Sequence, residues 1–107
     1  MFEIGFSGEY LSDFRRLSRR LPSCAYELMD IIFNELQETG TVSQSYGPHV
    51  LVKTGGVYNG CMEFHVRDDV LVLYSPARPK RALTMRRICT HAELTSGRFG
   101  REWPTDI

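Results

Sequence analysis

The chain has 107 residues, of which 42% are hydrophobic and 24% are charged. These values are ordinary for a globular protein, and we predict one domain over residues 1–107 with a C-terminal tail at 96–107. The 13 basic and 13 acidic side chains cancel, which disfavours a dedicated binder of duplex nucleic acid. A chain this short leaves little room for a deep cofactor cavity, so we expect a surface cleft and no cofactor.

The charge is spread unevenly along the chain. Residues 1–48 carry 4 basic and 7 acidic side chains, whereas residues 49–107 carry 9 basic and 6 acidic ones. The basic surplus of the second half permits a phosphate-binding face.

Neither the N-terminus nor the apolar runs indicate export. Residues 1–6 lack the features of a signal peptide, and no apolar run approaches the roughly 20 residues of a membrane span. We therefore expect a cytoplasmic protein with no membrane partner. Cys24, Cys61 and Cys89 show no paired spacing, which favours reduced, partly buried thiols.

The first half of the chain is predicted to be one strand and two helices. Apolar residues alternate over 2–6, the period of a half-buried strand. Ser7 is a candidate N-cap for the first helix, which Pro22 ends, and Ser23 is a candidate N-cap for the second, which Gly40 ends. Because the turn between them is short, the two helices are predicted to form an antiparallel hairpin.

The second half of the chain is predicted to be mainly strands. Those strands are expected at 51–53, 61–66, 70–74 and 83–89, with 70–74 in the centre of the sheet. Thr90 is a candidate cap for a short helix from about His91. The segregation of helices from strands predicts an α+β fold.

Chemistry is most strongly indicated by three histidines, His49, His65 and His91. Asp69 follows His65 by four residues across a turn, and Arg87 lies on the strand before His91. RNA can be cut by attack of its own 2′-hydroxyl on phosphorus, if one group removes that proton and another protonates the leaving 5′ oxygen. Histidine suits both transfers near neutral pH, each worth about 10²–10⁴-fold, and arginine suits the charge that develops on phosphate.

Other interpretations of these residues stay open. A single histidine in a small protein is usually a surface or capping residue. The three histidines could also bind zinc with Cys61 and Cys89, although no CxxC, HExxH or HxH spacing occurs. The arginines at 15, 16, 19 and 20 are either a solvated helix face or contacts to ribosomal RNA. The sequence contains no GxGxxG or GxSxG motif for nucleotide or esterase chemistry.

From Glu63 the sequence reads EFHVRDDVLVLY and later RRICTHAEL. The H-x-x-x-D and T-H-A-E-L elements together resemble the RelE/ParE toxin superfamily, specifically its YafQ branch, over residues 49–94. The helical hairpin before them agrees in order and length. The resemblance implies a RelE-like compact, antiparallel-rich sheet with an N-terminal strand, a two-helix hairpin packed on one side and a short C-terminal helix.

The resemblance also implies a function and a set of residues. It implies a toxin of a type II toxin–antitoxin system, acting as a metal-independent, ribosome-dependent mRNA endoribonuclease and neutralised by a cognate antitoxin. The catalytic positions carried over are His49, His65, Asp69, Arg87 and His91. Basic residues expected to contact RNA are Lys53, Arg67, Arg78, Lys80, Arg81 and Arg86.

The sequence departs from the branch pattern at several positions. Tyr58 stands where tryptophan is expected, and the segment before it is longer than in the pattern. Thr95 stands where an aromatic residue usually ends the last motif, and Phe99 is a candidate replacement. The alternatives are a non-catalytic ParE-type inhibitor that binds gyrase, which has no need of this histidine set, and an inactive toxin-derived binding module.

Overall fold

The computed structural model describes residues 1–52, 56–76 and 81–100. The two long helices are α1 (Gly8–Arg20) and α2 (Pro22–Ile31). A π-helical segment, Ile32–Leu36, joins α2 to the single turn α3 (Gln37–Thr39), and a 3-10 turn follows at Gln44–Tyr46. A short helix near the C-terminus, α4, spans His91–Ser96. The strands of these described ranges are β1 (Glu3–Phe6), β2 (His49–Val50), β3 (Met62–Arg67), β4 (Val70–Pro76) and β5 (Ala82–Cys89).

The strands form one mixed sheet in the order β1-β5-β4-β3-β2. β1 runs parallel to β5, and the other neighbours are antiparallel. β4 is the middle strand, and its residues 70–74 are all buried, which confirms the predicted central strand. The expected α+β class is also confirmed, with the helical hairpin on one side of an antiparallel-rich sheet.

The strand expected at 51–53 is wrong in its position. The paired residues are His49 and Val50, at the edge of the sheet beside β3. The Leu51 N–H still donates to the Cys61 carbonyl at 2.7 Å, but residues 51 and 52 are not part of the strand, and Lys53 lies outside the described residues.

The observed helix ends show which of the predicted capping and ending residues are used. The Ser7 side chain caps α1, and Gly40 ends the second helical segment with a left-handed φ of 79°, as predicted. The expected Ser23 cap is wrong, because Pro22 is already the first residue of α2 and Leu21 precedes it without a side-chain cap. Proline suits that position because its φ is fixed and a first-turn N–H has no partner within the helix. No helix within the described ranges has the length and apolar character needed to cross a bilayer.

The main core lies between the sheet and the helical hairpin. Its buried side chains include Leu17 and Leu28 from the hairpin and Phe64, Tyr74 and Ile88 from the sheet. Burial of one such side chain contributes about 1.5–3 kcal/mol. This core therefore fixes the hairpin on one face and leaves the other face to the loops and the C-terminal segment.

A smaller apolar cluster covers that opposite face. Leu71, Leu73 and Cys89 are fully buried there, with Tyr58 and Phe99 packed against them. All three cysteines of the chain are buried and free, which agrees with the predicted reduced thiols. Burial raises the pKa of the Cys89 thiol well above its usual range.

Candidate functional site

Three histidines from separate segments meet on the sheet face opposite the hairpin. His49 lies on β2, His65 on β3 and His91 at the start of α4. The ring centroids of His49 and His65 are 6.3 Å apart, and those of His65 and His91 are 5.3 Å apart. The sheet register explains this grouping, because β3, β4 and β5 place His65, Leu71 and Cys89 side by side on this face.

A buried carboxylate lies between the first two histidines. Glu63 is 5% exposed and pairs directly with His49 across the β2–β3 ladder. Its Oε1 atom is 3.5 Å from His49 Nε2 and 3.6 Å from His65 Nε2. Glu63 and His65 share a face because they are two residues apart on one strand. The carboxylate can therefore form an ion pair with whichever of these rings is protonated.

Asp69 holds the third histidine from the β3–β4 turn. Its Oδ1 atom accepts hydrogen bonds from His91 Nδ1 at 2.7 Å and from the His91 backbone N–H at 2.8 Å. The helix that carries His91 is capped by Thr90 and Glu93, whose side chains bond each other's backbone N–H groups at 3.1 and 3.0 Å. This capping box confirms the predicted Thr90 cap and fixes the start of α4.

The hydrogen bonds assign the proton positions on two of the rings. His49 Nδ1 lies 2.8 Å from the Gly47 carbonyl oxygen, and His91 Nδ1 faces the Asp69 carboxylate. A carbonyl oxygen and an ionised carboxylate only accept, so both Nδ1 atoms must donate. Each ring is then free to gain or lose a proton at Nε2. The Nε2 atom of His91 lies 3.4 Å from that of His65.

An open cleft gives access to this group. It encloses about 440 Å³. Its lining residues are Ser45, Tyr46, Gly47, His65, Asp68 and His91. The side chains of His65 and His91 are 29% and 57% exposed, so both rings are accessible to a ligand in the cleft.

Arg87 shares the sheet face of the histidines, but its guanidinium is directed toward α1. It is in register with Leu73, which is in register with Glu63. The Arg87 Nε and Nη2 atoms donate to the buried Asp13 carboxylate at 2.9 and 3.2 Å. Burial lowers the pKa of Arg87, but its bond to Tyr58 and its pairing with Asp13 outweigh that effect and raise the pKa above its usual value.

The other basic residues predicted to bind RNA are dispersed. Arg67 pairs with Glu27 of α2, and Arg86 donates to Ser75 Oγ at 3.0 Å. Arg81 precedes β5 and stacks over Phe2, at the opposite end of the strand from His91. The predicted contacts Lys53, Arg78 and Lys80 lie outside the described residues.

Two acidic residues of this region were missed by the sequence reasoning. Glu63 had a signal, because strand alternation places it on the same face as His65. Asp13 had a weaker one, since a carboxylate at this place interrupts the buried stripe formed by Tyr10 and Leu17 on α1. Its partner Arg87 is 74 residues away, and no local pattern connects the two.

The zinc alternative gains no support from the described part of the chain. Within it, no group of three His, Cys, Asp or Glu side chains has the arrangement needed to hold a metal ion. Cys61 and Cys89, the other candidate ligands of that alternative, are buried, Cys61 beside Ser75 and Cys89 among apolar side chains.

Comparisons with known proteins show which family the chain resembles. A family model described as "Bacterial toxin of type II toxin-antitoxin system, YafQ" matches residues 2–96. A solved structure of a YafQ mutant from E. coli is 25% identical, with 94% of this chain and 100% of that chain covered and a TM-score of 0.67. None of the curated proteins matches the chain.

Two toxin–antitoxin complexes also match. A chain of the E. coli DinJ–YafQ complex is 26% identical over 92% of this chain and 98% of that chain, with a TM-score of 0.63. A chain of the heterotetrameric YoeB–YefM complex from Staphylococcus aureus is 11% identical over 85% and 97%, with a TM-score of 0.63, which is a likeness of fold alone.

Proposed function

Because the chain belongs to the YafQ family of bacterial type II toxin–antitoxin toxins, we propose that it is an endoribonuclease that cleaves messenger RNA on the ribosome. The observation that carries the proposal is the approach of two histidine Nε2 atoms, 3.4 Å apart, in an open cleft. One of those rings is held by a carboxylate on its far nitrogen, and the other lies beside a buried carboxylate. This is a set of groups suited to paired proton transfers.

His91 is the proposed general base. With its Nδ1 proton held by Asp69, a neutral His91 presents a lone pair at Nε2. That nitrogen takes the proton of the RNA 2′-hydroxyl as the 2′ oxygen bonds to phosphorus. The Asp69 carboxylate offsets the positive charge that the ring acquires and keeps the ring oriented.

His65 is the proposed general acid. A protonated His65 gives its Nε2 proton to the 5′ oxygen as the bond between that oxygen and phosphorus breaks. The products are a 2′,3′-cyclic phosphate on one fragment and a 5′-hydroxyl on the other. Glu63 lies beside both this ring and His49. Its carboxylate is therefore an anionic neighbour for the cationic His65 until His65 loses its proton.

Arg87 is the proposed source of positive charge for the transition state. A guanidinium can donate two parallel hydrogen bonds to phosphate oxygens. Donors that are already oriented before the reaction stabilise developing negative charge without reorganisation. The Arg87 side chain is ordered in this way by Asp13 and Tyr58.

A cognate antitoxin is the proposed partner. An unrestrained mRNA nuclease would arrest its own host, so the activity requires a tight inhibitor. The E. coli relative occurs in a complex with DinJ, and we expect this chain to bind its own antitoxin in the same general manner. The inhibitor need not cover the histidines, since a bound protein would also prevent entry into the ribosome.

The direct test is cleavage of a defined mRNA on purified ribosomes by the purified chain, with mapping of the 5′ ends. We expect cuts within the translated region, 2′,3′-cyclic phosphate ends, and loss of both in His65→Ala and His91→Ala. The same RNA without ribosomes measures how far cleavage depends on them. Intact transcripts together with blocked DNA replication in cells would instead favour the gyrase-binding alternative.

A further inference from the structure

We infer that Asp13 of α1 is a positioning residue that orients the Arg87 guanidinium toward the substrate phosphate. The inference rests on the proposed function, because it assigns Arg87 a task in the reaction. Asp13 does not touch the histidine cleft itself. It acts through the side chain that it binds.

The Asp13 carboxylate binds one complete edge of the guanidinium. Oδ2 accepts from Arg87 Nε at 2.9 Å and Oδ1 accepts from Nη2 at 3.2 Å. Such a two-pronged contact fixes both the position and the plane of the group. Asp13 is 1% exposed, so water does not compete for the contact.

The position of Asp13 is itself fixed by the sheet. β1 pairs with β5 only as far as Met85, and no other strand of the described residues pairs with the rest of that edge of β5. Helix α1 covers this part of the edge, where Ser7 Oγ donates to the Arg86 carbonyl at 2.9 Å and Asp13 Oδ2 accepts the Ile88 N–H at 3.0 Å. The carboxylate is therefore attached to the backbone of the strand that carries Arg87.

The remaining donors of Arg87 face away from Asp13. Nη1 has a contact of 3.5 Å with the Tyr58 hydroxyl, and the Phe99 ring lies 4.0 Å from the guanidinium carbon. A guanidinium has five N–H donors, and Asp13 uses the Nε–Nη2 edge. With one Nη1 donor on Tyr58, one donor on Nη1 and one on Nη2 are left for phosphate oxygens.

Arg87 also lies near the histidines on the same sheet. Arg87 is in register with Glu63 across β4, so their backbones are separated by two strand spacings, about 10 Å. A long side chain and a nucleotide can span that distance. Without Asp13 the Arg87 side chain would adopt many rotamers, and each catalytic event would have to restrict them again.

The test is a double-mutant cycle in the ribosome cleavage assay, with D13N, R87Q and the double variant. An asparagine oxygen in the place of Oδ2 can still accept from the Ile88 N–H and from Arg87 Nε, but the NH₂ group in the place of Oδ1 cannot accept from Nη2, and the negative charge is lost. We expect D13N to lower kcat about 10- to 100-fold with a nearly unchanged KM. In the R87Q background the same change should lower kcat less than about 3-fold, because coupled residues are not additive. The control is E9Q, which removes an exposed carboxylate from the same helix and should leave kcat unchanged.

A second variant distinguishes a loss of activity from a loss of folding. D13E keeps the charge but displaces the carboxylate by one methylene. We therefore expect the kcat of D13E to lie between the kcat values of wild type and D13N, at an unaltered melting temperature. Full activity in D13N, or a loss that persists undiminished in the R87Q background, would overturn the inference while leaving the nuclease intact. A wild-type chain that cuts no RNA would overturn the proposed function and the inference with it.

Discussion

A single oxygen of Asp69 accepts two hydrogen bonds from His91, one from Nδ1 at 2.7 Å and one from the backbone N–H at 2.8 Å. The first bond sets the orientation and tautomer of the ring, and the second fixes the start of α4 relative to the β3–β4 turn. An asparagine whose amide oxygen takes the place of Oδ1 can accept both hydrogen bonds but carries no charge, so this substitution separates the effect of the charge from that of the two contacts. Whether the carboxylate supports catalysis or only the fold is thus open to measurement.

We predict that Asp69→Asn lowers the rate of cleavage at least about tenfold, and that His91→Ala lowers it by about 10²–10⁴-fold, the usual value of general acid–base catalysis. Asp69→Asn keeps the side-chain volume but loses the charge that offsets the imidazolium. Single-turnover rates on ribosome-bound mRNA measure both effects, and circular dichroism checks the fold. Equal activity in Asp69→Asn and wild type would make Asp69 a structural residue.

The assignment of His65 as the acid gives a second prediction. In an RNA whose bridging 5′ oxygen is replaced by sulfur, the leaving group departs without protonation. His65→Ala should therefore cleave the sulfur substrate at close to the wild-type rate while remaining inactive on normal RNA. His91→Ala should stay inactive on both substrates, because the 2′-hydroxyl still has to lose its proton. The reverse pattern would exchange the roles of the two histidines.

Glu63 provides a third prediction, with a matched control in the same chain. Glu63→Gln removes the charge near His49 and His65 and preserves the volume, so we expect at least about a tenfold loss of kcat, as for removal of a group that assists proton transfer. Glu38→Gln makes the same chemical change on the exposed turn α3 and should have no effect. Similar activity of both variants would remove Glu63 from the site.

The grouping of His65, Asp69 and His91 was predicted from the family resemblance, because His91 follows His65 by 26 residues and Asp69 by 22 and no local pattern joins it to them. A strand, a tight turn and the end of a later strand determine where each lies, and capping signals such as Thr90 agree with the strand ends. The signals for the strands, the turn and the helix cap agree with one another, as expected in a sequence that specifies one fold.

The long-range contacts could not be reached in the same way. Nothing local states that β1 lies parallel to β5, or that Asp13 meets a residue 74 positions later. An aspartate on a helix is ordinarily a solvent-exposed residue. Asp13 is buried only because α1 covers the part of the β5 edge that β1 does not pair with. The Ser23 error has a different cause, since proline and serine compete to start one helix and the proline is used.

The proposed antitoxin gives a fourth prediction. The second half of the chain carries the basic surplus, so an acidic segment of the partner should be attracted to it before contact is made. Association should slow as salt rises, while dissociation changes little. Replacing the exposed Arg81 by glutamine should lower the association rate in stopped-flow mixing of toxin and antitoxin, with Glu38→Gln as control. A salt-independent association rate would contradict this electrostatic account.

A fifth prediction concerns the stability of the hairpin. Gly40 has a φ of 79°, and a Cβ there would lie 2.5 Å from the Phe2 ring. Gly97 has a φ of 75° with nothing within 4 Å of that point. Alanine in a left-handed conformation costs about 1–2 kcal/mol, so Gly97→Ala should lose that amount of unfolding free energy. Gly40→Ala should lose more, because the Phe2 ring must also move away from the core.

Gly8 is the control position for Gly40 and Gly97. It lies in the first turn of α1, where its φ is outside the left-handed range and nothing lies within 4 Å of a built Cβ. Gly8→Ala should therefore stabilise the protein by about 0.4–1 kcal/mol, since alanine reduces the freedom of the unfolded chain. Urea unfolding of the three variants measures the order directly. If Gly40→Ala were no less stable than Gly97→Ala, the contact between Gly40 and Phe2 would not be a constraint on the fold.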